Sequence, residues 1–324
     1  MNIVVITTGG TIASQADASG AKVAGISGDD LVEGIAVRHG VVLQVRDALS
    51  LDSSAMSLSD MDTVRVAVAE ALADGADGVV ITHGTDTTEE TAFLVDLVHA
   101  DARPVVFTGA QRSADDPSSD GPANLTDAIT VASSSGARGL GVLVVFDGAV
   151  HAARGARKVH TLASSPFADP GLGPVAHVTL GELVVRRHPQ RPSPLHGLSE
   201  FGSVRVDIVA LYPGADGTAL DAHVVAGARG LVLEASGLGN SSPVVAAAVR
   251  RHVEAGVIVL VSTRVHAGPV RAVYGGGGGG RDLVAAGAVL TGDLRPSQAR
   301  IQLAALLATG AGLDDIRAAF SRLP

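Results

Sequence analysis

Residues 79–90 read VVITHGTDTTEE, and this stretch decides the fold. The apolar run 79–81 has the β-branched composition of a buried strand. Thr87 is followed three residues later by Glu90, a spacing typical of a capping box, so a helix is predicted to begin directly after the strand. A strand that passes at once into a helix is the repeating unit of an α/β sheet.

The same alternation recurs along the first half of the chain. Further apolar runs that end in small polar residues lie at 3–6, 105–107 and 141–146. Helical patterns lie between the runs, at Asp60–Leu72, Glu89–His99 and Leu125–Ala132, and Ser59 with Asp62 offers a second capping box. Continuous apolar strands that alternate with helices predict a doubly wound, flavodoxin- or Rossmann-like parallel sheet. Ligands of such sheets bind at the carboxyl ends of the strands.

A change of composition divides the chain. Between Arg187 and Gly202, the residues Pro189, Pro192 and Pro194 stand among His, Gln, Arg and Ser, as in a linker. We expect an N-terminal catalytic α/β domain over 1–187, a linker over 188–205 and a smaller C-terminal α/β domain over 206–324. The second domain is expected to have strands at 208–211, 231–233 and 257–261, and helices near Pro243–Ala255, Ser297–Ala308 and Leu313–Leu323.

Two further features of the second domain carry predictions. Ser242 and Pro243 are typical of the N-cap and the first residue of a helix. The glycine run 275–280 does not join a strand to a helix in an evident βαβ unit, so we predict a flexible surface loop there and not a dinucleotide site.

Composition excludes several classes of function. The 324 residues carry a net charge of −9, which disfavours nucleic acid as a partner. Cysteine is absent from the sequence, so disulfides, zinc thiolate sites and a cysteine nucleophile are excluded. The histidines show no metal-ligand spacing, and no apolar run approaches the ~20 residues of a membrane span. Without the pattern of a signal peptide at residue 1, we expect a cytoplasmic protein.

Two loops at predicted strand ends are rich in threonine and glycine. They cover 7–13 (TTGGTIA) and 82–90 (THGTDTTEE). Isolated threonines are usually caps and turn formers, but two such loops on one sheet favour chemistry. A threonine nucleophile needs a base nearby, and the available types here are His, Lys, Asp and Glu.

Three segments in order give the chain a resemblance to a known family. They are 8–13 (TGGTIA), 83–92 (HGTDTTEETA), and 109–112 (GAQR) leading to 120–125 (DGPANL). Together they resemble the bacterial-type L-asparaginase/glutaminase amidohydrolases over nearly the whole chain, with weaker support from 237–240 and from Ala299-Arg300. The resemblance implies hydrolysis of L-asparagine to L-aspartate and ammonia through an acyl-enzyme, without cofactor or metal.

The resemblance also implies catalytic roles for individual residues. Thr11 is implied as the nucleophile, and Thr85, Asp86 and Lys158 as a second catalytic group. The alternative for Lys158 is a lysine in a solvated basic stretch, since it follows Arg154 and Arg157. A lysine acts as a base only when desolvation or a neighbouring cation lowers its pKa.

Substrate-binding roles follow by the same comparison. Ser53 is implied to bind the substrate α-carboxylate, although a plain turn is the alternative. Asp86 is implied to face the α-ammonium group, and the backbone carbonyl of Ala110 to meet the scissile amide nitrogen. Asn240 is a candidate contribution from a neighbouring subunit of a homo-oligomer, a dimer or a tetramer. His83 is expected to pack in the sheet and to take no direct part in catalysis.

The sequence departs from the family at one position. The family usually carries a tyrosine on the loop after the nucleophile, whereas 15–30 contains none and Ala21 stands near the aligned position. Three other functions stay open as hypotheses: a broader glutaminase or amidase, the glutaminase-type subunit of a tRNA amidotransferase, and a two-domain protein that binds a small ligand without chemistry. The acidic charge and the lack of an added RNA-binding extension argue against the amidotransferase subunit.

Overall fold

The computed structural model describes residues 1–17, 19–191 and 193–321. The chain forms two compact units, Met1–Pro194 and Leu195–Pro324. The division falls inside the predicted linker. Residues at the start of that segment pack on the first unit, because Arg191 Nε lies 3.5 Å from Asp96 Oδ1 and its guanidinium donates to the carbonyl of His99. Pro192, one of the linker prolines, lies outside the described residues.

The first unit is built on an eight-stranded sheet. Its strands are β1 (Asn2–Thr7), β4 (Val42–Asp47), β5 (Gly78–Thr82), β6 (Val105–Thr108), β7 (Val142–Phe146), β8 (Ala149–Ala152), β11 (Ala176–Thr179) and β12 (Glu182–Val185). Two small antiparallel pairs stand beside it: β2 (Ser14–Ala16) with β3 (Lys22–Ala24), and β9 (Arg157–Lys158) with β10 (Phe167–Ala168). The helices are α1 (Gly28–Val32), α2 (Leu58–Ala73), α3 (Thr88–Val98) and α4 (Gly121–Ala132).

The order of the sheet is β12-β11-β8-β7-β6-β5-β1-β4. The five strands from β4 to β7 are parallel, as predicted, and the remaining three are antiparallel, so the sheet is mixed. The reason is the pair Asp147-Gly148 after β7. Both residues have positive φ, 49° and 71°, which a two-residue hairpin turn requires and which sends the chain straight back as β8.

Apolar side chains cover both faces of the sheet. One face packs against α2 and α3 through residues that include Val64, Val68 and Val95. The other face packs against α4 through Leu125, Ala128 and Ile129. The expectation of a sheet with helices on both faces is therefore confirmed, and the carboxyl ends of β1, β5 and β6 share one edge.

Neither of the two predicted capping boxes forms as predicted. Helix α2 begins two residues early, because Ser57 Oγ accepts from Asp60 N and the Asp60 carboxylate accepts from Ser57 N, at 3.2 and 2.8 Å. Asp62 instead pairs with Arg65 on the same helix. Thr87 does occupy the N-cap position of α3, but it makes no side-chain cap bond there, since its hydroxyl donates to the carbonyl of Ser53 at 2.9 Å.

The second unit has a four-stranded parallel sheet in the order β13-β14-β15-β16. The strands are β13 (Val206–Ala210), β14 (Gly230–Ala235), β15 (Ile258–Thr263) and β16 (Val289–Leu290), and the helices are α5 (Thr218–Val225), α6 (Pro243–Glu254), α7 (Gly280–Ala285), α8 (Pro296–Ala308) and α9 (Leu313–Ser321). Leu323, the predicted end of the last helix, lies outside the described residues. Among the described helices, none combines the length and the apolarity needed to cross a membrane.

Two local predictions for this unit have different outcomes. Ser242 is the N-cap of α6, accepting from Val245 N at 3.3 Å, and Pro243 is its first residue, as predicted. The second half of the glycine run is buried and is not a surface loop. A Cβ on Gly278 would lie 2.5 Å from the backbone carbon of Ser242, so the run packs closely on the start of α6.

Candidate active site

The loops after β1 and β5 lie directly against each other. The backbone N–H and the hydroxyl of Thr8 both donate to the carbonyl of Thr82, at 3.2 and 3.0 Å. One turn further, a Cβ on Gly10 would lie 2.6 Å from the backbone N and Cα of Gly84. Gly10 has φ 83° and ψ −177°, a conformation that only glycine adopts readily. Glycine is therefore required here for both its conformation and its size.

The loop after β6 completes this edge of the sheet. His83 N donates to the carbonyl of Thr108 at 2.8 Å, which ties the β5 and β6 loops together. The buried carboxylate of Asp120 accepts the backbone N–H groups of Gln111 and Arg112, and Asn124 Nδ2 donates to the carbonyl of Gly109 at 3.0 Å. These bonds fix the backbone around Ala110, which is 1% exposed.

Thr11 is the first residue of a short 3-10 helix, Thr11–Ala13, that follows Gly10. The helix is held by Ser14 Oγ, which donates to the carbonyl of Gly10 at 2.9 Å. Within the described residues, the Thr11 hydroxyl has no hydrogen-bond partner, and the residue is only half-buried. Its oxygen is therefore free to approach a substrate.

The second group of predicted residues comes together around one ammonium. Lys158 Nζ lies 2.8 Å from Thr85 Oγ1 and 2.7 Å from Asp86 Oδ1. The side chain of Lys158 is 19% exposed, which does not fit a lysine in a solvated stretch. Thr85 is 5% exposed, whereas the Asp86 side chain is 59% exposed, so one end of the group is buried and the other faces solvent.

Gln111 also joins this group, although the sequence analysis assigned it no role. The Thr85 hydroxyl donates to Gln111 Oε1 at 3.0 Å, and Gln111 Nε2 donates to the carbonyl of Thr161 at 3.1 Å. The amide thereby connects Thr85 to the segment that carries Lys158. Its place beside Ala110 in the third family-like segment was the available signal.

Ser53 lies in the site and is 4% exposed. Its Oγ accepts from the backbone N–H of Asp86 at 3.2 Å, so its own hydroxyl proton is available to another acceptor. A Cβ on Gly84 would lie 2.5 Å from this oxygen. Ser53 is the first residue of the 3-10 helix Ser53–Ala55, and these contacts place it against the loop of Gly84, Thr85 and Asp86.

His83 is fully buried and packs against the ring of Phe107, 5.9 Å between centroids. Burial lowers the pKa of the His83 ring to about 4. The hydrogen bond from Nδ1 to the carbonyl of Gly84, at 2.8 Å, raises the pKa but has the smaller effect. The ring is therefore neutral near pH 7. It supports the loop by packing, as the sequence analysis expected.

Asn240 belongs to the second unit, at the carboxyl end of β14. Its Oδ1 accepts from the backbone N–H of Gly280 at 3.1 Å, and its backbone N–H donates to the carbonyl of Ser236 at 2.8 Å. It lines a cavity of about 230 Å³ together with Tyr212 and Ser241. Asn240 thus belongs to the second unit, whereas Thr11, Thr85, Asp86 and Lys158 all belong to the first.

The segment that lacks the family tyrosine forms a hairpin. Strands β2 and β3 pair there, and Ala21 lies in the turn, exposed, with its N–H donating to Asp17 Oδ1 at 3.0 Å. Ala21 has no hydroxyl to offer the nucleophile. Throughout the described ranges, no cluster of three His, Asp or Glu side chains is arranged to hold a metal ion.

Comparison with known protein families identifies the chain. Residues 2–191 match the family described as "Asparaginase, N-terminal", and residues 205–320 match the "Glutaminase/Asparaginase C-terminal domain". The chain belongs to the asparaginase family. As a member of this family, the chain is an amidohydrolase enzyme.

Individual relatives are similar over nearly their whole lengths. An L-asparaginase of Bacillus licheniformis is 34% identical over 317 residues, covering 95% of both chains. A protein of Deinococcus radiodurans named "Probable L-asparaginase" is 38% identical over 326 residues, covering 99% of this chain and 97% of its own. A crystal structure of a "Probable Cytoplasmic L-asparaginase" from Campylobacter jejuni superposes with a TM-score of 0.88 at 30% identity, covering 99% of each chain.

Proposed function

We propose that this asparaginase-family chain hydrolyses the side-chain amide of L-asparagine, releasing L-aspartate and ammonia, with Thr11 as the nucleophile. The observation that carries the proposal is the contact of Gly10 with Gly84, because it sets Thr11 beside the loop of Thr85 and Asp86, whose side chains bind the Lys158 ammonium. The relatives named L-asparaginase agree with this substrate.

The reaction has two balanced steps. Thr11 Oγ1 attacks the amide carbon, its proton passes toward the leaving nitrogen, the C–N bond breaks, and ammonia leaves an aspartyl ester on Thr11. Water then attacks the ester carbon, and the proton it gives up returns to the Thr11 oxygen as aspartate departs. The hydrogen-bonded pair Thr85 and Lys158 is the route along which these protons move.

Three groups are proposed to hold the zwitterionic substrate. The free hydroxyl proton of Ser53 donates to the α-carboxylate. Asp86 uses its exposed carboxylate to bind the α-ammonium group, in a charge-assisted hydrogen bond. The backbone carbonyl of Ala110 accepts from the amide nitrogen.

Ammonia release tests the proposal directly. The purified protein is incubated with L-asparagine and, separately, with L-glutamine, and ammonia is measured over time. We expect release from asparagine, and loss of at least about 10³-fold in kcat for Thr11→Val and Thr85→Val, since valine keeps the β-branched shape and removes the hydroxyl. Thr63→Val, on the exposed side of α2, is the matched control that keeps full activity.

Three outcomes would contradict the proposal. Ligand binding without ammonia release would indicate a binding protein, and release from glutamine alone would indicate a glutaminase. If Thr11→Val lost activity only because it unfolded, as seen in its circular dichroism spectrum, the loss would not support a catalytic role for the hydroxyl. In Thr85→Val, an aspartyl ester trapped on the peptide of Thr11 would identify the attacking atom by mass spectrometry.

We also propose a homo-oligomer, a dimer or a tetramer, in a cytoplasmic location, with Asn240 of one subunit serving the site of another. The family resemblance supports this arrangement, and Asn240 lines a cavity at a strand end of its own unit. Specific activity is then expected to fall on dilution, and mixing Thr11→Val with Asn240→Ala subunits is expected to restore part of it. Sedimentation of a fully active monomer would contradict the proposal.

A further inference from the structure

Glu89 makes a contact that the proposed mechanism does not use. It is the second residue of α3, three positions after Asp86, and it is half-buried. Its Oε2 accepts from the backbone N–H of Lys158 at 2.7 Å. A carboxylate oxygen at this distance is well within the range of an N–H···O hydrogen bond. The helix that follows the Thr85 loop thereby holds the backbone of the residue whose side chain returns to Thr85.

Strand β9 benefits from such support, because it consists of Arg157 and Lys158 and, within the described ranges, forms a ladder with the equally short β10. A two-residue pair fixes its own position weakly. Lys158 Nζ must nevertheless stay within 2.8 Å of Thr85 Oγ1 and 2.7 Å of Asp86 Oδ1. The bond from Glu89 provides a second point of attachment, on the same residue and from the same loop-and-helix segment.

Lys158 is thus held at both ends by residues 85–89. Thr85 and Asp86 bind its ammonium, and Glu89 binds its backbone. The side chain spans a fixed distance between these two attachments. If the backbone moves away from α3, the ammonium either leaves Thr85 or pulls the loop of Thr85 with it.

We propose that Glu89 is a positioning residue, whose carboxylate fixes the backbone of Lys158 so that the ammonium reaches Thr85 and Asp86 in the catalytic geometry. This inference rests on the proposed function of Thr85 and Lys158. It assigns to Glu89 a hydrogen bond, as distinct from the general benefit of an acidic residue in the first turn of a helix.

Two substitutions separate the hydrogen bond from the charge. Glu89→Gln keeps the length of the side chain and an acceptor oxygen but removes the charge. Glu89→Asp keeps the charge but is one methylene too short for the 2.7 Å contact. Glu70→Asp, at an exposed position of α2, is the matched control for the shortening itself.

For the steady-state assay on L-asparagine, we expect Glu89→Asp to lower kcat by about 10- to 100-fold, with KM changed less than about threefold, because displacements near 1 Å are costly to reaction geometry. Glu89→Gln is expected to stay within about threefold of the unsubstituted protein in both constants. Equal losses in the two variants, retention of kcat in Glu89→Asp, or loss in Glu89→Gln alone would each overturn the proposal.

Hydrogen–deuterium exchange tests the contact without relying on catalysis. The Lys158 amide is expected to exchange at least about tenfold faster in Glu89→Asp than in Glu89→Gln or Glu70→Asp. Unchanged exchange would overturn the positioning role even if activity fell. If the unsubstituted protein released no ammonia from any amide, the function proposed above would fail, while the exchange result would still decide whether Glu89 holds Lys158.

Discussion

The contact between Gly10 and Gly84 makes Gly10→Ala the most informative single substitution. A Cβ at position 10 would lie 2.6 Å from the backbone N and Cα of Gly84, whereas ordinary van der Waals contact begins at 3.4 Å. Both atoms belong to backbone, so no side chain can rotate out of the way. The loop of Thr11 must therefore move away from the loop of Thr85 by close to 1 Å.

Two contributions determine how much Gly10→Ala lowers the free energy of unfolding. An alanine at φ 83° and ψ −177° occupies a region that costs about 1–3 kcal/mol. Overpacking a tight contact costs a further ~1–3 kcal/mol. The combined destabilisation of about 2–6 kcal/mol corresponds to a melting temperature lower by roughly 5–20 °C. A displacement near 1 Å between nucleophile and proton route is expected to lower kcat by about 100-fold.

Gly40→Ala is the control, because Gly40 has the same φ of 83° and no atom lies within 4 Å of its added Cβ. It carries the backbone strain without the clash, about 1–2 kcal/mol, and is expected to keep its kcat. Both variants are assayed for ammonia release at a temperature where circular dichroism shows them folded. If folded Gly10→Ala kept kcat within threefold, or if Gly40→Ala lost as much activity, the reasoning from the loop contact would be refuted.

Two further predictions follow from the site. Lys158→Met is expected to abolish ammonia release while Arg157→Met reduces it only mildly, since the ammonium of Lys158 donates to Thr85 and Asp86; equal losses in the two variants would move the role away from Lys158. His83, with a pKa lowered from 6.5 to about 4, must be neutral in the folded state, so its contribution to stability is complete above pH 6.5 and is lost as the pH falls toward 4. Urea unfolding at pH 7.5 and at pH 4.5 measures how far the free energy of unfolding falls between the two pH values. We expect this fall to be smaller by roughly 2–3 kcal/mol in His83→Asn, and a fall equal to that of the unsubstituted protein would contradict the burial argument.

Local signals in the sequence predicted the elements but not all of their boundaries. The pattern of a serine followed three residues later by an aspartate occurs at both Ser57 and Ser59, and the capping box forms at Ser57, which the local pattern does not decide. Asp147-Gly148 has the composition of a strand-end loop and equally that of a hairpin turn. The positive φ of Asp147 fixes the hairpin, and the composition of the two residues does not by itself show that Asp147 adopts it.

The residues of the candidate site likewise divide into those to which local sequence patterns pointed and those to which they did not. Thr11, Thr85 and Asp86 stand at ends of strands whose order in a parallel sheet brings their loops together, so local pattern pointed to the two loops, and the family resemblance selected these residues within them. Lys158 is 73 residues from Thr85 in sequence and lies on a two-residue strand with no periodicity to predict it. Only the family resemblance identified it. Gln111 and Glu89 were missed because their roles depend on contacts with the segment 158–161, which no local pattern encodes.

Three glycines of the family-like segments explain how the sequence of the loops determines the distances between them. An added Cβ would meet the backbone of Leu51 at Gly9, of Gly84 at Gly10, and of His83 at Gly109, at 2.7, 2.6 and 2.3 Å. Each glycine thus allows one loop to lie on the backbone of its neighbour, closer than any side chain permits. The residues that follow, Thr11 after Gly10 and Ala110 after Gly109, are held at positions set by backbone contact, without relying on flexible side chains. The alternation of threonine and glycine in this sequence is therefore a packing requirement as much as a chemical one, and a substitution at such a glycine should lower the reaction rate although it removes no reacting group.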